Sequence, residues 1–162
     1  MSLIGIIAKK KDIKELKKKL GEKNELIEIT NESIENLKNI KFEEIICNKD
    51  INLTKEEYKF MREIINKTKY LIVNSDIKIK YLENIRIENP IKIITFGFNT
   101  KSTITISSIK EEYIIVSIQR KIEKNNNQKI ESQEKKIEKN INEKLSIYNQ
   151  LINFIIKELN NI

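Results

Sequence analysis

Apolar residues in this chain fall into short runs and periodic stripes. Residues 70–73 (YLIV) and 91–96 (IKIITF) are rich in β-branched or aromatic side chains, too short for ordinary helices, and closed by polar turn formers, so both predict buried strands. Residues 2–8, 25–29 and 42–47 read the same way. Between them the period changes to that of a helix. Asp12 with Glu15 predicts a helix N-cap pair ahead of Ile13, Leu16 and Leu20, and Gly21 predicts its end. Ile34, Leu37 and Ile40 mark the inner face of a second helix. Thr54 with Glu57 forms a capping-box signature before Tyr58, Met61 and Ile65. A short helical or irregular piece over residues 78–84 then leads to Pro90, the only proline.

Strands alternating with helices predict βαβ units, a mostly parallel sheet and helices on both faces. After Phe98 the rhythm shortens to two. Thr103, Thr105 and Ser107 alternate with Ile104 and Ile106, and Ile114, Val116 and Ile118 alternate with Ile115 and Ser117. The three asparagines at 125–127 signal a turn, which predicts a hairpin from residues 113–122 and 129–137. Leu145, Tyr148, Ile152, Ile155, Ile156 and Leu159 form one stripe on a C-terminal helix over residues 142–160. The predicted class is α/β: an open, mostly parallel Rossmann-like or P-loop-like sheet, an antiparallel β extension and a C-terminal helix. One domain is expected over residues 1–162, with βαβ repeats to about 99 and antiparallel strands over about 102–137.

Composition changes this picture little. A chain of 162 residues buries roughly two thirds of its extended surface on folding, enough for a true core. The net charge of +7 points toward polyanionic partners, but the lysines are interleaved with glutamates nearly everywhere. The one dense basic run, Lys9 to Lys11 and then Lys17 to Lys19, accompanies the first helix and reads first as a solvated face, which leaves nucleic acid the least favoured partner. Cys47 is alone, so no intrachain disulfide forms. No run approaches the roughly 20 apolar residues of a membrane span, and the N-terminus lacks the parts of a signal peptide, so a cytoplasmic protein without membrane contact is expected.

The chemistry is bounded mainly by what is missing. Without histidine, the chain has no Ser-His or Cys-His pair and no histidine metal site or acid/base. The loop after the first strand, AKKKDIKEL, has no glycine to let a pyrophosphate approach the backbone. In GFNTKST, Thr100 replaces the second glycine of a phosphate loop, and a strand is expected to follow. No cofactor, metal or catalytic group is therefore assigned. The positive feature is positional: ligands of open α/β sheets bind beyond the carboxyl ends of the parallel strands. Three strands end in similar sets, Asn48-Lys49-Asp50, Asn74-Ser75-Asp76 and Asn99-Thr100-Lys101. Asn48, Lys49, Asn74, Asp76, Asn99 and Lys101 are thus candidate contacts for a small polar or anionic ligand. The competing reading is that Asn, Ser and Asp are what turns and N-caps require. Cys47 reads as a small buried hydrophobe without a base. Glu111, Glu112, Glu131 and Glu134 read as a solvated sheet face, and Gln119 and Arg120 either bind an acidic group or pair with those glutamates.

The pair YLIVNSD (residues 70–76) and ITFGFN (94–99) resembles the distal half of the central domain of Mur ligases, in which a strand ending in an Asn-x-Asp-type motif precedes one ending in Thr-Phe-Gly, then antiparallel strands. The resemblance covers residues 70–120. It implies a P-loop-type α/β sheet and places Asn74 and Asp76 near the family's nucleotide-base region. The family's phosphate loop, magnesium-binding glutamate and histidine, and C-terminal substrate domain have no counterparts here. A resemblance that lacks those parts implies a non-catalytic ligand-binding or regulatory module. The alternative is a protein-interaction module, such as a homodimer built on the hairpin edge or the C-terminal helix.

Overall fold

The computed structural model describes residues 2–139 and 146–160. Its first half is β1 (Ser2–Ile7), α1 (Lys10–Leu20), β2 (Asn24–Glu28), α2 (Ile34–Leu37), β3 (Glu44–Cys47), α3 (Lys55–Lys67), β4 (Tyr70–Asn74), α4 (Lys80–Glu83) and β5 (Lys92–Gly97). Then come β6 (Ile104–Ile109), β7 (Tyr113–Ile118), β8 (Ile122–Glu123), β9 (Lys129–Ile130), β10 (Gln133–Glu138) and α5 (Ile147–Asn160). Eight strands form one sheet in the order β10-β7-β6-β5-β4-β3-β1-β2, and β8 pairs with β9 alone. The five strands of the βαβ region are all parallel, as expected. Their order reverses between β1 and β3, and the carboxyl ends at such a reversal are where open α/β sheets bind ligands.

Two apolar layers hold the sheet. On one face Ile13, Leu16 and Leu20 of α1 and Leu151, Ile152, Ile155 and Leu159 of α5 pack on Ile4, Ile46, Ile72, Ile94 and the inward residues of β6 and β7. On the other, α2, α3 and α4 cover Ile7, Ile45, Cys47 and Leu71, and the buried residues of this layer come from no strand after β4. The two periodicities of the sequence thus meet: the period of 3.6 places each helix's stripe against residues the period of two has turned inward. The stripe of α5 is broader than predicted, because Leu151 and Phe154 are buried as well. Its predicted start at Asn142, with Leu145, lies outside the described residues.

Three local expectations are corrected. The N-cap of α1 is Lys9, with no side-chain cap. Asp12 and Glu15 instead accept the Asn149 Nδ2 amide of α5, at 3.3 and 2.7 Å, so the carboxylates tie two helices together. Second, the antiparallel region opens at β6–β7 rather than at β5–β6. β6 pairs parallel to the end of β5, Phe96 opposite Ile104, and only β6–β7 and β7–β10 are antiparallel within the large sheet. The cause is a reciprocal clasp: the Thr103 N–H donates to Thr95 Oγ1 at 2.8 Å and the Thr95 N–H to Thr103 Oγ1 at 3.2 Å, which turns the chain back on itself. Third, the long hairpin is split. β7 and β10 pair along its base, and its tip separates as β8–β9, whose Ile122 and Ile130 join the α5 layer. The capping box of α3 is present, with Thr54 Oγ1 accepting the Glu57 N–H at 3.2 Å and Glu57 Oε1 accepting the Thr54 N–H at 2.8 Å.

Candidate functional site

The carboxyl ends of β3, β4 and β5 lie side by side, and the loops after them, with the last residue of β4, carry all six candidate residues. Five are joined by hydrogen bonds, Lys101 through its backbone alone. The buried Asn74 donates through Nδ2 to Asn48 Oδ1 at 2.8 Å and accepts the Asp76 N–H on its own Oδ1 at 2.9 Å, closing an Asx turn at the end of β4. Asp76 then reaches the loop after β5. Its Oδ2 accepts the Phe98 N–H at 2.7 Å, and its Oδ1 the Asn99 N–H at 3.0 Å. Asn99 Oδ1 in turn accepts the Lys101 N–H at 2.9 Å.

Gly97 makes this geometry possible. Its φ of 149° suits glycine, and a Cβ there would stand 2.6 Å from Asp76 Oδ2. The two strand-end signatures of the sequence, Asn-Ser-Asp and Thr-Phe-Gly, are therefore one unit: the carboxylate of the first wraps the glycine of the second.

Further groups fix the same loop. Ser75 Oγ donates to the Phe96 carbonyl at 3.1 Å and lies in contact with the hydroxyl of buried Ser102. Gln119 Nε2 donates to the carbonyls of Thr100 and Ser102 at 2.8 and 2.7 Å, and Arg120 donates to the Lys101 carbonyl. Gln119 and Arg120 thus brace the rim from the end of β7, and among the described residues Arg120 pairs with no glutamate. Tyr148, at the start of α5, donates its hydroxyl to Asp76 Oδ2 at 2.9 Å, and its ring meets Phe96 and Phe98 edge-on at 6.1 and 6.0 Å. Burial, then the Asp76 hydrogen bond and charge, hold the Tyr148 phenol above its ordinary pKa.

The side chains of the two lysines stand apart from this network. Lys49 uses only its carbonyl, which accepts Tyr81 OH at 3.2 Å, and Lys101 is exposed. Among the described residues neither ammonium group has a hydrogen bond or ion pair. Lys9, at the turn from β1 into α1, brings a third lysine, exposed like Lys101, to the same end of the sheet. Sequence reasoning missed Lys9, Tyr148, Ser102 and the role of Gly97. Lys9 had a signal, since it follows the strand at the reversal point; Tyr148 had none, because it read simply as part of an apolar stripe.

Other candidates are structural. Cys47 is fully buried and burial pushes its thiol up to about 12, so no thiolate forms near neutral pH. Glu111, Glu112, Glu131 and Glu134 are exposed, and Glu131 pairs with Lys121 at 3.6 Å. The helix considered as a partner surface, α5, spends its apolar residues on its own sheet.

One group at the opposite end of the sheet was not foreseen. Glu44, the first residue of β3, is 0% exposed, and neither carboxyl oxygen has a hydrogen-bonding partner. Desolvation, with the charge of Glu43 second, pushes its pKa up to about 7. Asn160 and Lys69 oppose the rise, but the Asn160 Nδ2 is itself without a hydrogen bond, so that amide is near the carboxyl without satisfying it. No family model matches this sequence, and no curated protein does.

Proposed function

We propose that this chain is a non-catalytic, Mur-ligase-like α/β domain that binds a polar or anionic ligand across the carboxyl-end rim as a binding or regulatory module. The observation that carries the reading is the Asp76–Gly97 unit. The two motifs behind the family resemblance meet in space, on adjacent strands, and build a braced platform beside the lysines. Lys49 follows β3 and Lys101 follows β5, on either side of β4, while Lys49 also lies beside the point between β1 and β3 where the strand order reverses. Two ammonium groups without carboxylates of their own supply charge for a phosphate or carboxylate. The asparagines and Asp76 act through the scaffold: their side-chain oxygens are already accepting, so they position the loops and leave recognition to the lysines and exposed backbone.

The same accounting supports a role without bond chemistry. A general base needs a group free to take a proton at neutral pH. The sequence holds no histidine, the only thiol is buried, the Asp76 carboxylate already accepts three hydrogen bonds, and Glu44, raised to about 7, is fully buried at the other end of the sheet. Among the described residues no helix is long and apolar enough to cross a membrane, and a cytoplasmic location goes with this reading. Calorimetric titration against ATP, UDP-sugar nucleotides and muropeptides tests it. The expected result is binding of at least one anionic member, weakened at least about tenfold in the Lys49→Ala/Lys101→Ala double variant; silence across the whole panel removes the ligand-binding role.

A further inference from the structure

The sheet has a second chemically distinctive region at its β2 edge. Among the described residues β2 pairs only with β1, so its other side is open along Asn24 to Ile27, while the Glu28 carbonyl already accepts Ser33 Oγ at 3.1 Å. Every second backbone N–H and C=O of such an edge strand faces away from the sheet, ready for another strand. Alongside runs the outer face of α1, where Lys10, Lys14, Lys17 and Lys18 follow each other at helical spacing. With Ile13 and Glu28 they line a shallow groove of about 530 Å³.

Among the described residues, lysines without an ion pair also occur elsewhere, Lys49 and Lys101 among them, but here four stand in one row on a single helix face. Elsewhere Lys92, Lys121 and Lys135 find Glu123, Glu131 and Glu158 at 3.2, 3.6 and 3.1 Å. Among the described residues none of Lys10, Lys14, Lys17 and Lys18 has an ion pair or a side-chain hydrogen bond. Like charges four apart on a helix repel. The α1 face therefore carries a standing repulsion that an incoming anion relieves.

We propose that the α1–β2 groove receives an extended acidic segment of a partner protein, which adds as a strand to the free edge of β2 with its carboxylates against Lys10, Lys14, Lys17 and Lys18. The dimensions agree. The helical rise from Lys10 to Lys18 is about 12 Å, which about four strand residues span, and β2 itself has 5 residues. Alternate side chains of an added strand fall on one face. The α1 face of β2 is the one carrying Leu26, which packs with Ile13 and Leu16, so carboxylates at every second position of the guest meet the lysine row. A nucleic acid fits less well. Glu28 in the groove and Glu25 on the strand oppose any anion alike, so what separates the two guests is the strand's outward carbonyls, which require N–H donors at peptide spacing.

The test uses the full chain and a fluorescein-labelled heptapeptide alternating glutamate with threonine. Anisotropy is expected to report binding that weakens at least about tenfold in Lys14→Glu/Lys17→Glu, and amide exchange in residues 24–28 is expected to slow when the peptide is present. If the charge reversal impairs folding, Lys14→Gln/Lys17→Gln carries the same expectation. A peptide N-methylated at every second residue, in either phase, keeps its charge but loses strand pairing along one edge, and one of the two phases is expected to fail. Equal binding by both phases overturns strand addition. Absence of binding overturns the site, and tighter binding of a charge-matched oligothymidylate assigns the face to nucleic acid instead.

Discussion

The two ends of the parallel strands handle polar groups in opposite ways. At the carboxyl ends of β3, β4 and β5, Asn48, Asn74, Asp76 and Asn99 pass hydrogen bonds from one loop to the next, and each is held by the chain's own backbone or side chains. At the amino end of β3, Glu44 is more deeply buried than Asp76 yet has no donor on either oxygen. The number of polar residues is not the difference. Asp76 lies in a loop whose free N–H groups can turn toward it, whereas Glu44 lies within a strand whose backbone is already paired with β1 and β4. A carboxylate is stable where the backbone has unspent donors, and becomes a proton-binding group where it has none.

The largest expected effect breaks the contrast at its Glu44 side. The folded-state pKa is raised from 4.5 to about 7, so the native state binds the proton more tightly than the unfolded chain does. The stabilising contribution is fully present below pH 4.5 and is lost as pH rises through about 7. Its full size is about 3 kcal/mol. Urea unfolding at pH 5 and pH 8 is expected to show the decline in the native protein, and Glu44→Gln is expected to remove most of it. An equal decline in the two proteins would show that Glu44 is ionised throughout.

At the rim the carboxylate matters as a hydrogen-bond acceptor. Asp76→Ala leaves the Phe98 and Asn99 N–H groups and the Tyr148 hydroxyl without their acceptor, and a loss of about 2 kcal/mol is expected after allowance for solvent reaching this exposed loop. Tyr148→Phe removes only the last of these bonds and is expected to cost about 1 kcal/mol. Smallest of all, Lys49→Ala and Lys101→Ala are each expected to change stability by no more than about 0.5 kcal/mol, since neither ammonium has a partner among the described residues. If thermal unfolding places the lysines above Asp76, the division into scaffold and recognition groups is wrong.

Much of this architecture was legible in the chain. Short β-branched runs and the Thr54–Glu57 signature mark elements by local chemistry, and local chemistry survives folding. The parallel arrangement then places residues that end strands on one side, which is why the rim candidates come together. What was not legible depends on distant partners. The direction of β6 comes from the Thr95–Thr103 clasp, not from its own alternating pattern, which is the same for either direction. Asp12 and Glu15 look like a cap pair until Asn149 of α5 claims both. In Phe42-Glu43-Glu44 the alternation shows that the two glutamates face opposite ways. Which one is buried is decided by the surroundings of the α1–α5 face, including Asn160 at the far end of the sequence.

Chemical-shift mapping of the isotopically labelled protein tests the central claim most directly, because it reads every backbone amide while the nucleotide and muropeptide panel is added. The account predicts saturable shifts concentrated at residues 48–50, 74–76 and 98–101, with the Asp76-bonded amides of Phe98 and Asn99 among them. Shifts confined to residues 10–28, or no saturable shift with any anion tested, would contradict it.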